Sequence, residues 1–410
     1  MSQVERVGIV GAGTMGAGIA QVAALGGYDT RLHDPVPAAL ATGVERLRGA
    51  LWKGATKGMW DEKSAQAASD RVGAASKLRD LAECDLVIEA APEDLDLKRE
   101  LFAALAETCG PETILASNTS SLPVTEIAIE TPNPKRVVGM HFFNPPALMK
   151  LVEVVATKDS SKTALKATTE VAERMGRTPI RAKDSPGFIA NRLARPFTLE
   201  SLRMLAGGVA DAATIDRVCR LGGGFRMGPF ELIDLIGLDV NLSVARSFYA
   251  QGGEPERWRP SPIQEQMVSE GRLGRKSGRG FYDYANGSHR EPDPDLGIEA
   301  PTADPVVLAT IDPAAPEILP RLLAQIANEA ALALEEEIGS PTDMDTAMRL
   351  GFNWPRGPLE LTELIGTERA VDLLLKLQTE HGEAYRPAEG LFEAAGWTGY
   401  APLPPKQEGQ

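Results

Sequence analysis

The chain has 410 residues, 43% hydrophobic and 24% charged, with a formal net charge of -14, so two or three domains are expected and neither nucleic acid nor an anionic membrane is expected as the main partner. Its three cysteines, Cys84, Cys109 and Cys219, are widely separated, which argues against a disulfide framework or a zinc site and fits a reducing compartment. The N-terminus runs from MSQVER directly into a strand-like segment without a leader or membrane-spanning pattern, and a cytoplasmic protein is expected.

Glu5–Val10 (ERVGIV) reads as a strand, GAGTMG at Gly11–Gly16 as a tight turn, and the alanine-rich run to Leu25 as a helix stopped by Gly26–Gly27. A G-x-G-x-x-G between a strand and a helix is the dinucleotide-binding pattern. Gly11 allows the turn, Gly13 lets backbone approach a pyrophosphate, and Gly16 lets helix and strand pack closely. Thr14 and Met15 in the same turn are candidate cofactor contacts. Tyr28–Leu32 reads as the second strand and ends in His33–Asp34, where Asp34 would accept a bond from the adenosine 2′-hydroxyl and repel a 2′-phosphate. No arginine adjoins Asp34 in sequence. The expected cofactor is NAD rather than NADP.

A helical excursion follows over about Pro37–Arg71, carrying Arg46, Arg48, Lys53 and Lys57. It is either a solvated amphipathic pair or a clamp for a phosphorylated ligand. Asp85–Glu89 (DLVIE) and Thr113–Ser117 (TILAS) read as buried strands around a helix at Leu95–Thr108. These elements make an α/β Rossmann domain, a doubly wound parallel sheet. AAPE (Ala90–Glu93) and SNTSSL (Ser117–Leu122) follow strand carboxyl ends, where such sheets bind ligands. GMHFFNPP (Gly139–Pro146) sets His141, one of four histidines, at the end of an apolar run; it is a packed core residue or a functional one. The strand-like Lys150–Val155 comes after the turn-forming Asn144–Pro145–Pro146, and a hairpin-like return would bring Glu153 beside His141.

Beyond Pro179 the pattern turns helical, with candidates at Gly187–Gly208, Ala210–Leu221 and Gly228–Tyr249. ATIDRVCRLGGGFRMGPFELIDLIG (Ala213–Gly237) aligns without a gap to TDMDTAMRLGFNWPRGPLELTELIG (Thr342–Gly366), which reads as a duplication. Glu200 and Glu329 share the same offset, and Asn191 falls on Pro320, so the second copy is expected to be structural. The expected division is a nucleotide-binding domain at 1–184, a first helical copy at 185–285, a Pro-, Asp- and Glu-rich linker at 286–313, a second, degenerate copy at 314–400, and a tail at 401–410.

With AAPED, SNTSSL and HFFNPP placed, and KLVEVV (Lys150–Val155), KDSPGFIANR (Lys183–Arg192), MGPFELIDLIGLD (Met227–Asp239) and GRLGRKSGRGFYDY (Gly271–Tyr284) following in order, the chain resembles the 3-hydroxyacyl-CoA dehydrogenase family over about residues 5 to 285. The resemblance implies a Rossmann domain followed by a helical one and a catalytic His141 paired with Glu153. It further implies that Ser120 and Asn191 contact the substrate oxygens and that Glu93, Lys98, Ser120, Asn144 and Lys276 touch the nucleotide. Lys53 and Lys57 are candidate contacts for coenzyme A phosphates. The chemistry asks for such groups: oxidising a secondary alcohol sends a proton to a base and a hydride to nicotinamide, imidazole titrates near neutral pH, and a carboxylate fixes its tautomer.

The expectation is an NAD-dependent oxidation of (3S)-3-hydroxyacyl-CoA. Its alternatives are a dehydrogenase of free hydroxy acids, like the lambda-crystallin-like relatives, and a non-catalytic NAD-binding protein. Single-copy members of the family commonly dimerise through the helical domain. The chain is therefore expected to be a homodimer, or a monomer in which the second copy replaces that contact.

Overall fold

A computed structural model describes residues 4–285, 287, 289–290 and 292–394. Eight strands form at Arg6–Val10 (β1), Asp29–His33 (β2), Val72–Ala75 (β3), Leu86–Glu89 (β4), Ile114–Ser117 (β5), Val137–Phe142 (β6), Leu151–Ala156 (β7) and Thr178–Lys183 (β8). They make one sheet in the order β3-β2-β1-β4-β5-β6-β7-β8. Every neighbouring pair is parallel except β6 and β7, which run antiparallel. The central strands β4, β5 and β6 are buried at every position, the signature of a sheet covered on both faces.

The helix at Thr14–Leu25 packs on β1 and β2, and that at Lys162–Arg174 packs on β6, β7 and β8. Side-chain caps start several helices: Asp94 accepts from the Leu97 amide and Ser161 from that of Ala164. The strand β3 has no forerunner in the sequence reading, because VGAA is too short to show a period. The excursion between β2 and β3 is the helix pair Pro37–Thr56 and Glu62–Asp70.

Two compact units result, Met1–Arg192 with Ile338–Phe352, and Leu193–Glu337 with Asn353–Gln410. Residues 338–352 lie within the repeat's second copy, yet their helix Pro341–Gly351 packs on β7 and β8 of the first unit.

The second unit is helical and centres on Ala315–Glu335, which packs against Arg195–Ala206, Pro358–Ile365 and Thr367–His381. Its repeated motif is a capping device. Asp216 accepts from the amides of Phe230 (2.9 Å) and Glu231 (3.0 Å) at the start of the helix Pro229–Ile236, satisfying donors that a helix N-terminus leaves open. Glu231 reaches back to the Gly228 amide at 2.9 Å, and a Cβ on Gly228 would lie 2.2 Å from the Asp216 carboxyl carbon. In the second copy Glu360 accepts from the Gly357 amide at 2.8 Å. The recurring glutamates also have work: Glu200 binds Arg321 and Arg203, and Glu329 binds Arg257 and the Trp258 indole.

Three sequence expectations change. Gly187–Gly208 is two helices, Ala190–Leu193 and Arg195–Ala206. Gly228–Tyr249 breaks at Gly237, whose φ of 102° leaves the helical region; Gly366 breaks the second copy likewise at 83°. The span read as linker holds a helix at Pro305–Ile311 capped by Asp304, and its Asp293 grips Arg220 with both carboxylate oxygens. Asn286, residues 395–400 of the second copy and the tail 401–410 lie outside the described residues.

Candidate active site

At the carboxyl ends of β1, β2 and β4 a cleft of about 1200 Å³ is lined by the Gly11–Met15 turn, His33, Asp34, Arg46, Ala90, Ala91, Leu97 and Leu101. Gly11 has φ 98°, and a Cβ there would sit 2.5 Å from the Ala90 carbonyl oxygen. A Cβ on Gly16 would collide with the Gly11 carbonyl oxygen at 1.7 Å, whereas one on Gly13 would meet nothing within 4 Å. So Gly11 and Gly16 serve internal packing, while Gly13 leaves backbone bare toward open space, the geometry a pyrophosphate needs. Asp34 accepts from the Ala12 amide (Oδ2) and the Val36 amide (Oδ1), each at 2.9 Å. Each oxygen keeps acceptor capacity for ribose hydroxyls. These residues fit a dinucleotide.

Arg46, on the helix Pro37–Thr56, also lines the cleft. Its guanidinium lies 3.5 Å from the Ala12 carbonyl oxygen in the glycine turn. Lys53 and Lys57 are exposed on the same helix and at its end, and do not line the cleft.

Glu93, after β4, accepts from the Thr119 hydroxyl (2.6 Å), the Ser121 hydroxyl (2.9 Å) and the amides of Ser120 and Ser121. Burial alone would raise its pKa, but the Thr119 hydroxyl, the Lys98 ammonium and the Ser121 hydroxyl hold it below the usual glutamate range. Lys98 is buried, and its ammonium lies 2.5 Å from Glu89 and 3.4 Å from Glu93. Glu89 also accepts from the Ala91 amide and the Ser117 hydroxyl. The resemblance marks Lys98 as a nucleotide contact; in the fold its ammonium braces the two loops after β4 and β5.

The β6–β7 register puts His141 directly opposite Glu153. His141 Nδ1 donates to Glu153 Oε2 at 2.7 Å, and the other oxygen accepts from the amides of Ile189 and Ala190, both at 2.9 Å. A carboxylate only accepts, so Nδ1 carries the hydrogen. Glu153 is fully buried, while His141 keeps 7% of its side chain exposed. Nε2 has no partner among the described residues. The two amides follow Phe188, whose φ of 52° is rare for a bulky residue and costs on the order of 1 kcal/mol. That left-handed residue turns two successive N–H groups onto one oxygen. The phenyl groups of Phe143 (4.6 Å) and Phe188 (5.8 Å) pack on the imidazole.

Asn191, next after Ala190, donates to the Ser120 carbonyl at 3.3 Å, which brings Asn191 and Ser120 together. Asn118 Oδ1 accepts from the Phe142 amide at 2.9 Å and ties the SNTSSL loop to the strand carrying His141. Asn144 is exposed after that strand. Lys276 belongs to the second unit, where its ammonium pairs with Asp239 at 2.6 Å. Glu89, Asn118 and Phe188 went unmarked in the sequence, since each acts through a partner distant along the chain, and Arg46 was marked only as part of a possible clamp for a phosphorylated ligand.

Family models match almost the whole chain: the NAD binding domain of 3-hydroxyacyl-CoA dehydrogenase covers residues 6–185, and its C-terminal domain covers 187–284 and 318–400. The chain belongs to the 3-hydroxyacyl-CoA dehydrogenase family. It is therefore an NAD-dependent oxidoreductase of that family. Among its relatives, 3-hydroxyadipyl-CoA dehydrogenase of Escherichia coli (strain K12) is 36% identical, with 96% of this chain and 98% of the relative covered. A probable 3-hydroxybutyryl-CoA dehydrogenase of Bacillus subtilis (strain 168) is 42% identical over 69% of this chain and 98% of the relative. The crystal structure of 3-hydroxybutyryl-CoA dehydrogenase from Escherichia coli K12 superposes with a TM-score of 0.87 at 35% identity, covering 96% of this chain and 98% of that one. The dehydrogenase part of Caenorhabditis elegans multifunctional enzyme 1 gives 0.64 at 26% identity, covering 96% and 90%. Among the described residues no helix is long and apolar enough to cross a membrane, and no cluster suits a metal ion.

Proposed function

We propose that the chain catalyses the reversible oxidation of (3S)-3-hydroxyacyl-CoA to 3-oxoacyl-CoA with His141 as the general base. NAD supplies the hydride acceptor, C4 of its nicotinamide ring. The observation that carries the reading is the imidazole bound through Nδ1 at 2.7 Å to a buried Glu153, with Nε2 free. Nε2 takes the hydroxyl proton as the hydride leaves the same carbon and the carbonyl forms. Glu153 holds the tautomer that leaves Nε2 able to accept, and its charge stabilises the resulting imidazolium.

Ser120 and Asn191, joined at 3.3 Å, bind the substrate oxygens and stabilise charge developing there. The glycine turn and Asp34 hold the dinucleotide, and Glu93, Lys98, Ser120 and Asn144 contact it. Lys53 and Lys57 would meet the coenzyme A phosphates, which their exposure permits. In solution the chain is a homodimer or a monomer, which light scattering distinguishes.

His141→Gln tests the base. Turnover should fall at least about 10²-fold while NADH still binds, and near-normal turnover removes His141 from the mechanism. Comparing acetoacetyl-CoA with a free hydroxy acid, cofactor in excess, tests the substrate class; faster conversion of the free acid overturns it.

A further inference from the structure

The second helical copy lacks a counterpart of Asn191, yet one of its helices packs on the sheet that carries the proposed base. Helix Pro341–Gly351 lies on β7, the neighbour of His141's own strand β6, and on β8 beyond it. At its end Gly351 faces Phe143: a Cβ there would lie 3.2 Å from Phe143 Cε1 and 2.9 Å from Leu151 Cδ2. The next residue, Phe352, sets its ring edge-on to Phe143, centroids 6.4 Å apart at 75°. Phe143 in turn leans on the imidazole of His141 at 4.6 Å.

The internal repeat shows that this is not inherited packing. Gly351 and Phe352 correspond to Gly222 and Gly223 of the first copy, 129 positions earlier. There Gly222 closes on Leu308 and Ile311, and Gly223 on Phe225. The second copy keeps the glycine that permits close approach, turns it onto Phe143, and adds a phenyl group where the first has none.

We infer that Gly351 and Phe352 are positioning residues for the base, acting through Phe143. They hold the Phe143 ring against the imidazole and so limit how far His141 can tilt about its bond to Glu153. That tilt sets where Nε2 meets the substrate hydroxyl, and small misplacements of reacting groups cost rate steeply. The inference rests on His141 being the base.

The test uses the full-length protein with Phe352→Ala, Phe352→Leu and Gly351→Ala. In Phe352→Ala, kcat should fall about 10-fold, while the Kd for NADH, read by its fluorescence, and the KM for acetoacetyl-CoA stay within about twofold. Phe352→Leu should recover most of the loss, and Gly351→Ala should lower kcat by pushing Phe143 aside. Should Phe352→Ala fold poorly, a double-mutant cycle of Phe143→Leu and Gly351→Ala reads the same coupling. Non-additive effects on kcat support the inference, and additive ones overturn it. An unchanged kcat in Phe352→Ala with a lowered Tm makes the contact merely structural and also overturns it. If His141→Gln is inactive while these variants are normal, only the positioning role is lost. Retained turnover in His141→Gln fails the base assignment instead.

Discussion

Replacing Glu153 by Gln isolates the electrostatic half of the dyad without changing its shape. In the protein one oxygen holds the Ile189 and Ala190 amides at 2.9 Å and the other holds His141 Nδ1 at 2.7 Å. The amide oxygen of the variant should keep the two backbone donors, because turning its NH2 toward them would leave several donors unpaired at a cost of about 1–3 kcal/mol each. The NH2 then faces Nδ1 and forces the tautomer with hydrogen on Nε2, which cannot accept a proton. The lost attraction is also sizeable. With charge centres about 4 Å apart and an effective dielectric near 20, it is about 4 kcal/mol, and each 1.4 kcal/mol is roughly tenfold in rate. We expect kcat for (3S)-3-hydroxybutyryl-CoA oxidation, followed by NADH absorbance, to fall about 10³-fold with Kd for NADH unchanged. A folded variant within about threefold of the parent would refute the role assigned to the charge.

Asp34→Ser should shift preference toward NADP by at least about 10²-fold in the ratio of kcat/KM values, because Arg46 already lines the same cleft; an unchanged ratio counts against Asp34 as the 2′-phosphate filter. Gly228→Ala drives a Cβ to 2.2 Å from the Asp216 carboxyl and should cost about 2–4 kcal/mol in denaturant unfolding. Because Glu93 titrates below its ordinary value of 4.5, its contribution to stability is present above that pH and lost as pH falls through the depressed value. The Tm gap between the parent and Glu93→Gln should therefore close in acid, and a gap that widens there contradicts the bonding described.

Much of this arrangement could be read from the chain because it is local or periodic. GAGTMG lies between a strand and a helix, and the Asn144–Pro145–Pro146 turn between two apolar runs implied the return that sets Glu153 opposite His141. What stayed hidden depends on partners far along the chain. Lys98 carries no mark of its burial beside Glu89, nor Lys276 of its pairing with Asp239. A run of apolar residues with helical spacing hides the break at Gly237, where only the backbone angle shows that the helix restarts. The repeat was plain in sequence, but its docking was not, since Gly351 and Phe352 reveal their purpose only against Phe143.

The sealing of Glu153 constrains proton traffic. Among the described residues that carboxylate takes its hydrogen bonds from His141, Ile189 and Ala190, and the exposed edge of the pair belongs to His141. In the proposed reaction the substrate occupies that edge during turnover. Solvent exchange at the imidazole then belongs to the interval between one product's departure and the next substrate's arrival, and buffer catalysis should not quicken the chemical step.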